Sequence, residues 1–227
     1  ATTILSYMDI EIGDSITQGW EFYQFDMTHE QALALADGTF QAIVAEGVLD
    51  GLTSREQGIA LQSLTWFAAY TEDTALRAQA LDEISALADG LVDTMTLNGR
   101  IPGPEGAHLA AVQGAGVAGL LFAFNATGEG KYHVAALRGW RYLQSIWDED
   151  AGVYKSAEGT DTYVYTPQDL GDVLAAQNAM LNILAYDIGE RFATFFRNAV
   201  KVSGLQLAEG GESGGNMDGD EVPAPPE

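Results

Sequence analysis

The residues best suited to chemistry in this 227-residue chain are acids and glycines. Asp169 and Asp172 stand three positions apart at the start of a predicted helix, so their carboxylates share one helical face. Repulsion between two such groups raises the pKa of one, which is how a carboxyl becomes a general acid near neutral pH. The same placement has a purely structural use, because acids in a first helical turn complement the helix dipole. Gly114-Ala115-Gly116-Val117-Ala118-Gly119 matches the dinucleotide fingerprint G-x-G-x-x-G, in which glycines let a strand-to-helix turn approach a pyrophosphate. Upstream, however, 104–113 leans to helix, and the position for a ribose-binding acid falls near Arg138. Close helix packing is therefore the expected role of these glycines, dinucleotide binding is a distant third function, and no cofactor is expected.

Asp148, Asp150 and Gly152 have the D-x-D-x-G form of a calcium loop, but the downstream acid would fall at Gly159 and is missing. Asn216, Asp218 and Asp220 read as acidic linker. His29, His108 and His133 stand near three helix starts with no paired spacing, so no metal site is expected. The absence of cysteine excludes disulfides, thiolate metal sites and iron-sulfur clusters. Cations are scarce, so Arg100, Arg138 and Arg141 are each expected to meet a carboxylate. Arg100, beside the Pro- and Gly-rich loop 100–106, is the one placed to meet an anionic ligand.

The elements that must position these residues are helical. The stripe Ala80, Ile84, Leu87, Leu91 recurs 56 positions later as Ala136, Trp140, Leu143, Trp147, and both follow the i, i+4, i+7, i+11 spacing of one helix face. A repeat that long exceeds one helix and its loop, which implies helical hairpins whose apolar faces need neighbours. Thr28 with Gln31, and Ser54 with Gln57, supply capping chemistry for the first two helices; Leu33, Ala36, Phe40, Ile43 and then Ile59, Ser63, Trp66, Tyr70 supply their apolar faces. Further helices are expected at about 74–94, 108–124, 131–147, 167–184 and 188–202, the sixth opened by Thr166-Pro167-Gln168-Asp169. Two β-like runs, 153–155 and 162–165, predict a small hairpin between helices. The fold class is therefore all-α, with about seven helices in antiparallel hairpins. An extended segment with a short strand at 4–12 occupies 1–26, the helical domain 27–207, and an acidic Gly- and Pro-rich tail or linker 208–227.

The run Leu120-Leu121-Phe122-Ala123-Phe124-Asn125-Ala126-Thr127-Gly128-Glu129, followed by Tyr132, Ala135-Ala136-Leu137, Tyr142-Leu143 and Trp147-Asp148-Glu149-Asp150-Ala151-Gly152-Val153-Tyr154, resembles a hairpin unit of the α/α toroid proteins. That superfamily includes the six-hairpin glycosidases and sugar 2-epimerases. The resemblance is strongest over 120–186 and implies a partial α/α toroid, because about seven helices do not complete a ring of six hairpins. It also implies carboxylates at inner helix ends acting on a sugar in an aromatic-lined cavity. Glu105, Asp169 and Asp172 would be the catalytic acids, and Arg100, Trp140, Tyr163 and Tyr165 the substrate-binding residues.

Ten Lys and Arg against 33 Asp and Glu leave a net charge of −23, which disfavours binding to nucleic acid or to anionic membranes. Only three of the cations are lysines, while the hydrophobic fraction is an ordinary 47%. An acidic, lysine-poor surface over a normal core suits concentrated salt, where a Debye length of ~3 Å at 1 M screens the self-repulsion. No run of 18 apolar residues is present, so insertion of this segment into a membrane is not expected. The start at Ala1 without Met suggests a processed or excised chain, and Asn125-Ala126-Thr127 is a glycosylation acceptor compatible with export. The expected function is a non-catalytic structural or interaction module of an exported, halophilic, extracellular or cell-surface protein. It would meet a carbohydrate or protein partner and further domains beyond the tail. The alternative is a carbohydrate-processing hydrolase or lyase.

Overall fold

The computed structural model describes residues 28–203. The expected N-terminal segment with its strand at 4–12, the acidic tail, and Asn216, Asp218 and Asp220 lie outside the described residues. The described chain is all-α with a small β excursion. It comprises α1 (His29–Ala45), α2 (Ser54–Tyr70), α3 (Thr74–Thr94), α4 (Leu109–Thr127), α5 (Gly130–Ser145), β1 (Trp147–Asp148), β2 (Val153–Tyr154), α6 (Pro167–Leu184) and α7 (Gly189–Ser203).

Local chemistry sets the helix starts. Thr28 with Gln31, Thr53 with Glu56, and Thr166 with Asp169 each form a complete capping box, the last with Pro167 in its first turn. The second box lies one residue earlier than Ser54 and Gln57 suggest, because Thr53 holds the extended backbone that a cap requires. Asp73 caps α3 by accepting from the Ala75 and Leu76 N–H groups. Gly128 ends α4 at φ 74°, in the left-handed region where glycine carries no side-chain penalty.

Helices α2, α4 and α6 lie side by side with α4 in the middle. Each packs on the helix that follows it, and α3 also reaches α4 and α5. Three hairpins, α2/α3, α4/α5 and α6/α7, therefore stand next to one another. α1 joins at the edge, where Phe40 stacks on Phe67 at 4.4 Å and Thr71 donates to Asp37. By length and composition α4 is apolar enough to cross a membrane, with mean hydropathy 1.6 over its window, but 78% of that window is buried against the surrounding protein.

Such burial requires backbones to approach closely, and glycines provide the room. A Cβ on Gly114 would lie 2.6 Å from the Asp172 carbonyl oxygen of α6, and one on Gly119 would lie 2.7 Å from Gly58 Cα of α2. One on Gly116 would lie 2.4 Å from the Ile101 side chain, which the 95–108 loop inserts against the helix. The three fingerprint glycines thus sit inside a continuous helix and each accommodates a different neighbour; the strand-to-helix turn that cradles a pyrophosphate is not formed there. Buried Gln113 secures the arrangement. It accepts from the Ile101 N–H and donates to the carbonyls of Gly99 and Gly139, binding loop, α4 and α5 together.

Ala80, Ile84, Leu87 and Leu91 are buried, as are Ala136, Trp140 and Leu143. Trp147, the last member of the repeated stripe, falls beyond α5 on β1, where Trp147 pairs with Tyr154 and Asp148 with Val153. The excursion thus pairs 147–148 with 153–154, and not 153–155 with 162–165. The tight turn held by Asp148, and the edge contact of the Trp147 and Tyr154 rings at 4.9 Å, favour the shorter connection. Thr162 is left accepting from the Ser156 N–H and hydroxyl. On α2 the buried face is Gly58, Leu61, Leu64, Thr65, Phe67 and Ala68, rotated from the expected Ile59, Ser63, Trp66 and Tyr70, which are only partly covered. The contact of Gly58 with α4 sets that rotation.

Gly58→Ala would place a methyl 2.3 Å from the Ala115 carbonyl oxygen, a backbone atom held inside α4. Chemical denaturation should show a loss of about 3 kcal/mol. Gly171→Ala on α6, where nothing lies within 4 Å, should instead stabilise by up to about 1 kcal/mol. Similar responses at the two positions would refute the close-packing account.

Candidate functional site

The N-terminal turns of α2, α4 and α6 converge, because Arg55 of α2, His108 at the α4 cap, and Asp169 and Asp172 of α6 act on one another. The Arg55 guanidinium donates from Nε to Asp172 Oδ2 at 2.6 Å, and its Nη1 lies 2.9 Å from Asp169 Oδ1. Its Nη2 is 2.5 Å from Asp172 Oδ2. The other Asp169 oxygen accepts from the Thr166 N–H at 3.0 Å and the Thr166 hydroxyl at 2.7 Å, closing the α6 capping box. Both oxygens of Asp169 are therefore engaged by protein donors.

The two acids differ electrostatically. Burial pushes the Asp169 carboxyl up, but the Thr166 bonds, with His108 and Arg55, outweigh it and hold the group below its ordinary value. Burial raises the Asp172 carboxyl against the opposing pull of Arg55, and the neighbouring Asp169 charge adds to the rise. One guanidinium thus offsets two carboxylates where three helix dipoles present their positive ends.

His108 Nδ1 accepts from the Ala111 N–H at 3.2 Å, which assigns the proton of the neutral ring to Nε2. Nε2 is buried beside the Val164 backbone, which favours the protonated ring. Desolvation lowers the imidazole pKa, opposed chiefly by the Asp169 charge. The ring lies 4.6 Å from that of Tyr165. Tyr165 donates to the Tyr154 carbonyl at 2.5 Å, and burial pushes its phenol well above the usual range.

The structure brings Asp169, Asp172 and Tyr165 to this region and disperses the other expected site residues. Glu105 is exposed on the loop before α4. Arg100 pairs with Glu158 at 2.9 Å. Arg138 departs from expectation: it donates to the Thr96 and Leu97 carbonyls, because the Gly99 turn packs on the Arg138 backbone and presents them. Arg141 is exposed and forms no ion pair with the described residues. Tyr163 donates to Asp148 Oδ2 at 2.6 Å, which raises the phenol to about 12 and holds the carboxyl low. Asp148 also accepts from the Asp150 and Ala151 N–H groups, so the D-x-D-x-G segment is a self-satisfied turn. Trp140 faces a separate cleft between α5, α6 and α7. Among the described residues no group of three or more His, Cys, Asp or Glu is arranged to hold a metal ion.

Two members of the site escape a reading of acid spacing. Arg55 carries a legible signal, since a cation in a first helical turn opposes the dipole unless acids face it. His108 reads as surface polar by position, and only the packing of Tyr165 and α6 reveals its burial.

Arg55→Leu leaves two largely buried carboxylates unpaired, and chemical denaturation should report a loss of about 3 kcal/mol; a loss within error of zero would show that the pairs contribute nothing. For His108 the folded pKa lies below the ordinary 6.5, so the unfolded chain protonates first on acidification. Its contribution is full above 6.5 and declines as pH falls from 6.5 toward the lowered folded value. Stability measured between about pH 7.5 and 5 should therefore fall less steeply in His108→Gln than in the parent. Equal slopes would exclude His108 as the source. The chain matches no protein-family model, no curated protein and no solved structure.

Proposed function

We propose that this chain is a non-catalytic structural or interaction module of an exported protein adapted to concentrated salt, its hairpins forming a partial α/α toroid. The observation that carries the non-catalytic reading is the commitment of Asp169 and Asp172. One caps α6 and both are held by Arg55, so the acid pair has a complete structural employment. Glu105, the third acid the resemblance implies, is exposed on a loop outside the cluster. The net charge of −23 supports the salt adaptation. So does the use of scarce cations as bridges between segments far apart in sequence: Arg55 to Asp172, Arg100 to Glu158, Lys131 to Asp89 and Arg191 to Glu149. One observation favours a carbohydrate-processing enzyme instead, the upward shift of Asp172 beside an ionised Asp169, the asymmetry an acid-base pair requires.

The two readings separate on one preparation. Thermal unfolding followed from low to molar salt should show a steep gain in stability, and incubation with neutral and acidic polysaccharides in molar salt should release no reducing ends. A chain fully folded at low ionic strength, with no gain from salt, ends the halophilic reading. Turnover that Asp172→Asn abolishes without unfolding the chain ends the non-catalytic one.

A further inference from the structure

One face of α7 seats the helix and the opposite face is left open. Phe195 and Ala199 are fully buried, the Phe195 ring lying 5.1 Å from that of Tyr154 and 5.6 Å from that of Tyr165. Asn198 donates to the Ala151 carbonyl at 3.0 Å, and Arg191 stands 2.9 Å from Glu149. These contacts fix the rotation of α7 about its own axis, and with it the residues that point away.

The outward face is apolar in its middle and charged along one edge. Phe192 is 39% exposed and Phe196 42%, and their spacing of one turn joins the two rings into a single patch. Ala193 is exposed beside them. Glu190 and Arg197 are also exposed, on nearly one line down the helix. At about 1.5 Å per residue they stand about 10 Å apart along the axis, too far to pair with each other. Neither forms an ion pair with the described residues.

Such a face is complementary to itself. When two copies of α7 cross antiparallel next to Ala193, Glu190 of each comes level with Arg197 of the other, and Phe192 with Phe196, to within about 2 Å along the axis. The two-fold axis between them keeps both charged edges on the same side, so each ion pair forms twice. A parallel crossing would set Glu190 against Glu190 and Arg197 against Arg197. Alanine at the crossing lets the helix axes approach toward the near end of the ~8–10 Å range. α7 holds three of the ten cations and a single acid, so a second copy of a chain with net charge −23 meets little like charge here. A wholly acidic or wholly basic partner would satisfy only one end of the edge.

We propose that this face of α7 pairs with the same face of a second copy, antiparallel about a two-fold axis. Phe192, Ala193 and Phe196 pack across the axis, and two reciprocal Glu190–Arg197 ion pairs run along the edge. A single helix pair buries less than the ~1,200–2,000 Å² of a stable interface, so the dimer is weak and reversible. Salt strengthens it, because screening removes the repulsion between two bodies of net charge −23 while burial of the rings is undiminished. The pairing goes beyond the module reading and does not rest on it. A polysaccharide-cleaving chain would pair in the same way, so the failure of either reading leaves the other standing.

Sedimentation velocity of the full chain in molar salt, from micromolar to millimolar concentration, tests it. The weight-average mass should climb from the monomer value toward twice that value and stop, because a two-fold interface is closed. Phe196→Ser should weaken dimerisation about tenfold. The charged edge is read at the lowest salt at which circular dichroism still shows the native helix content. There Glu190→Arg and Arg197→Glu should each weaken pairing about threefold or more, and the double variant should restore it. Only an antiparallel face that pairs with itself regains complementarity when both signs are reversed. These exposed positions keep the test open if Phe196→Ser unfolds. A chain monomeric to millimolar concentration, growth beyond the dimer, a dimer indifferent to Phe196→Ser in a folded chain, or a double variant no better than the single ones would overturn the proposal.

Discussion

The closeness with which other backbones reach the middle of α4 is the constraint on which the rest of the structure depends. Gly58 and Gly119 let α2 cross it almost backbone to backbone, Gly114 does the same for α6, and Gly116 makes room for Ile101. Dispersion and burial both scale with such contact, so small residues at the crossings let the flanking Leu, Val and Ala side chains interdigitate at interior density. The geometry also carries the polar site. Asp172 supplies the backbone that Gly114 receives and the carboxylate that Arg55 holds, so the α4–α6 approach and the link between α2 and α6 are two faces of one residue. Moving α6 away from α4 would open the ion pair as well as the core.

The hairpin architecture was legible in the chain because it is written in periodicity and caps. Thr28, Thr166 and Pro167 mark starts that the structure keeps, and the stripe from Ala80 to Leu91 lies buried along its length. Where sequence and structure diverge, a tertiary contact decides. Local pattern gives α2 an apolar face through Ile59 and Trp66, but Gly58 must meet Ala115, and that rotates the helix. Capping chemistry fits Ser54 as well as Thr53, and only backbone conformation distinguishes them. Trp147 continues a helical stripe on paper, yet its ring packs on Tyr154 once the chain turns at Asp148.

The candidate site was legible only in half. Asp169 and Asp172 advertise themselves by spacing, whereas Arg55 is distant in sequence and its meaning lies in a dipole it ought to avoid. Cations elsewhere show the same economy. Lys131 spans Asp89 and Glu129, and Arg77 reaches the carbonyls of Ala68 and Thr71 at the α2–α3 turn. A chain with so few positive charges uses them where they join segments that helix periodicity cannot join, which is why composition alone predicts partnership but not partners.

The burial of α4 also has a temporal side. The helix follows α2 and α3 in the chain and precedes α6, so during synthesis its α2 side can be covered at once while the surface around Gly114 waits for residues near Asp172. Until then a segment apolar enough to suit a bilayer stands partly open to water. That interval is where self-association competes most directly with folding, and it ends when α6 seats. The order of the hairpins along the chain thus makes α6 the element that covers the Gly114 side of α4, and its seating the step that removes the hazard, before Phe195 and Ala199 of α7 complete the core.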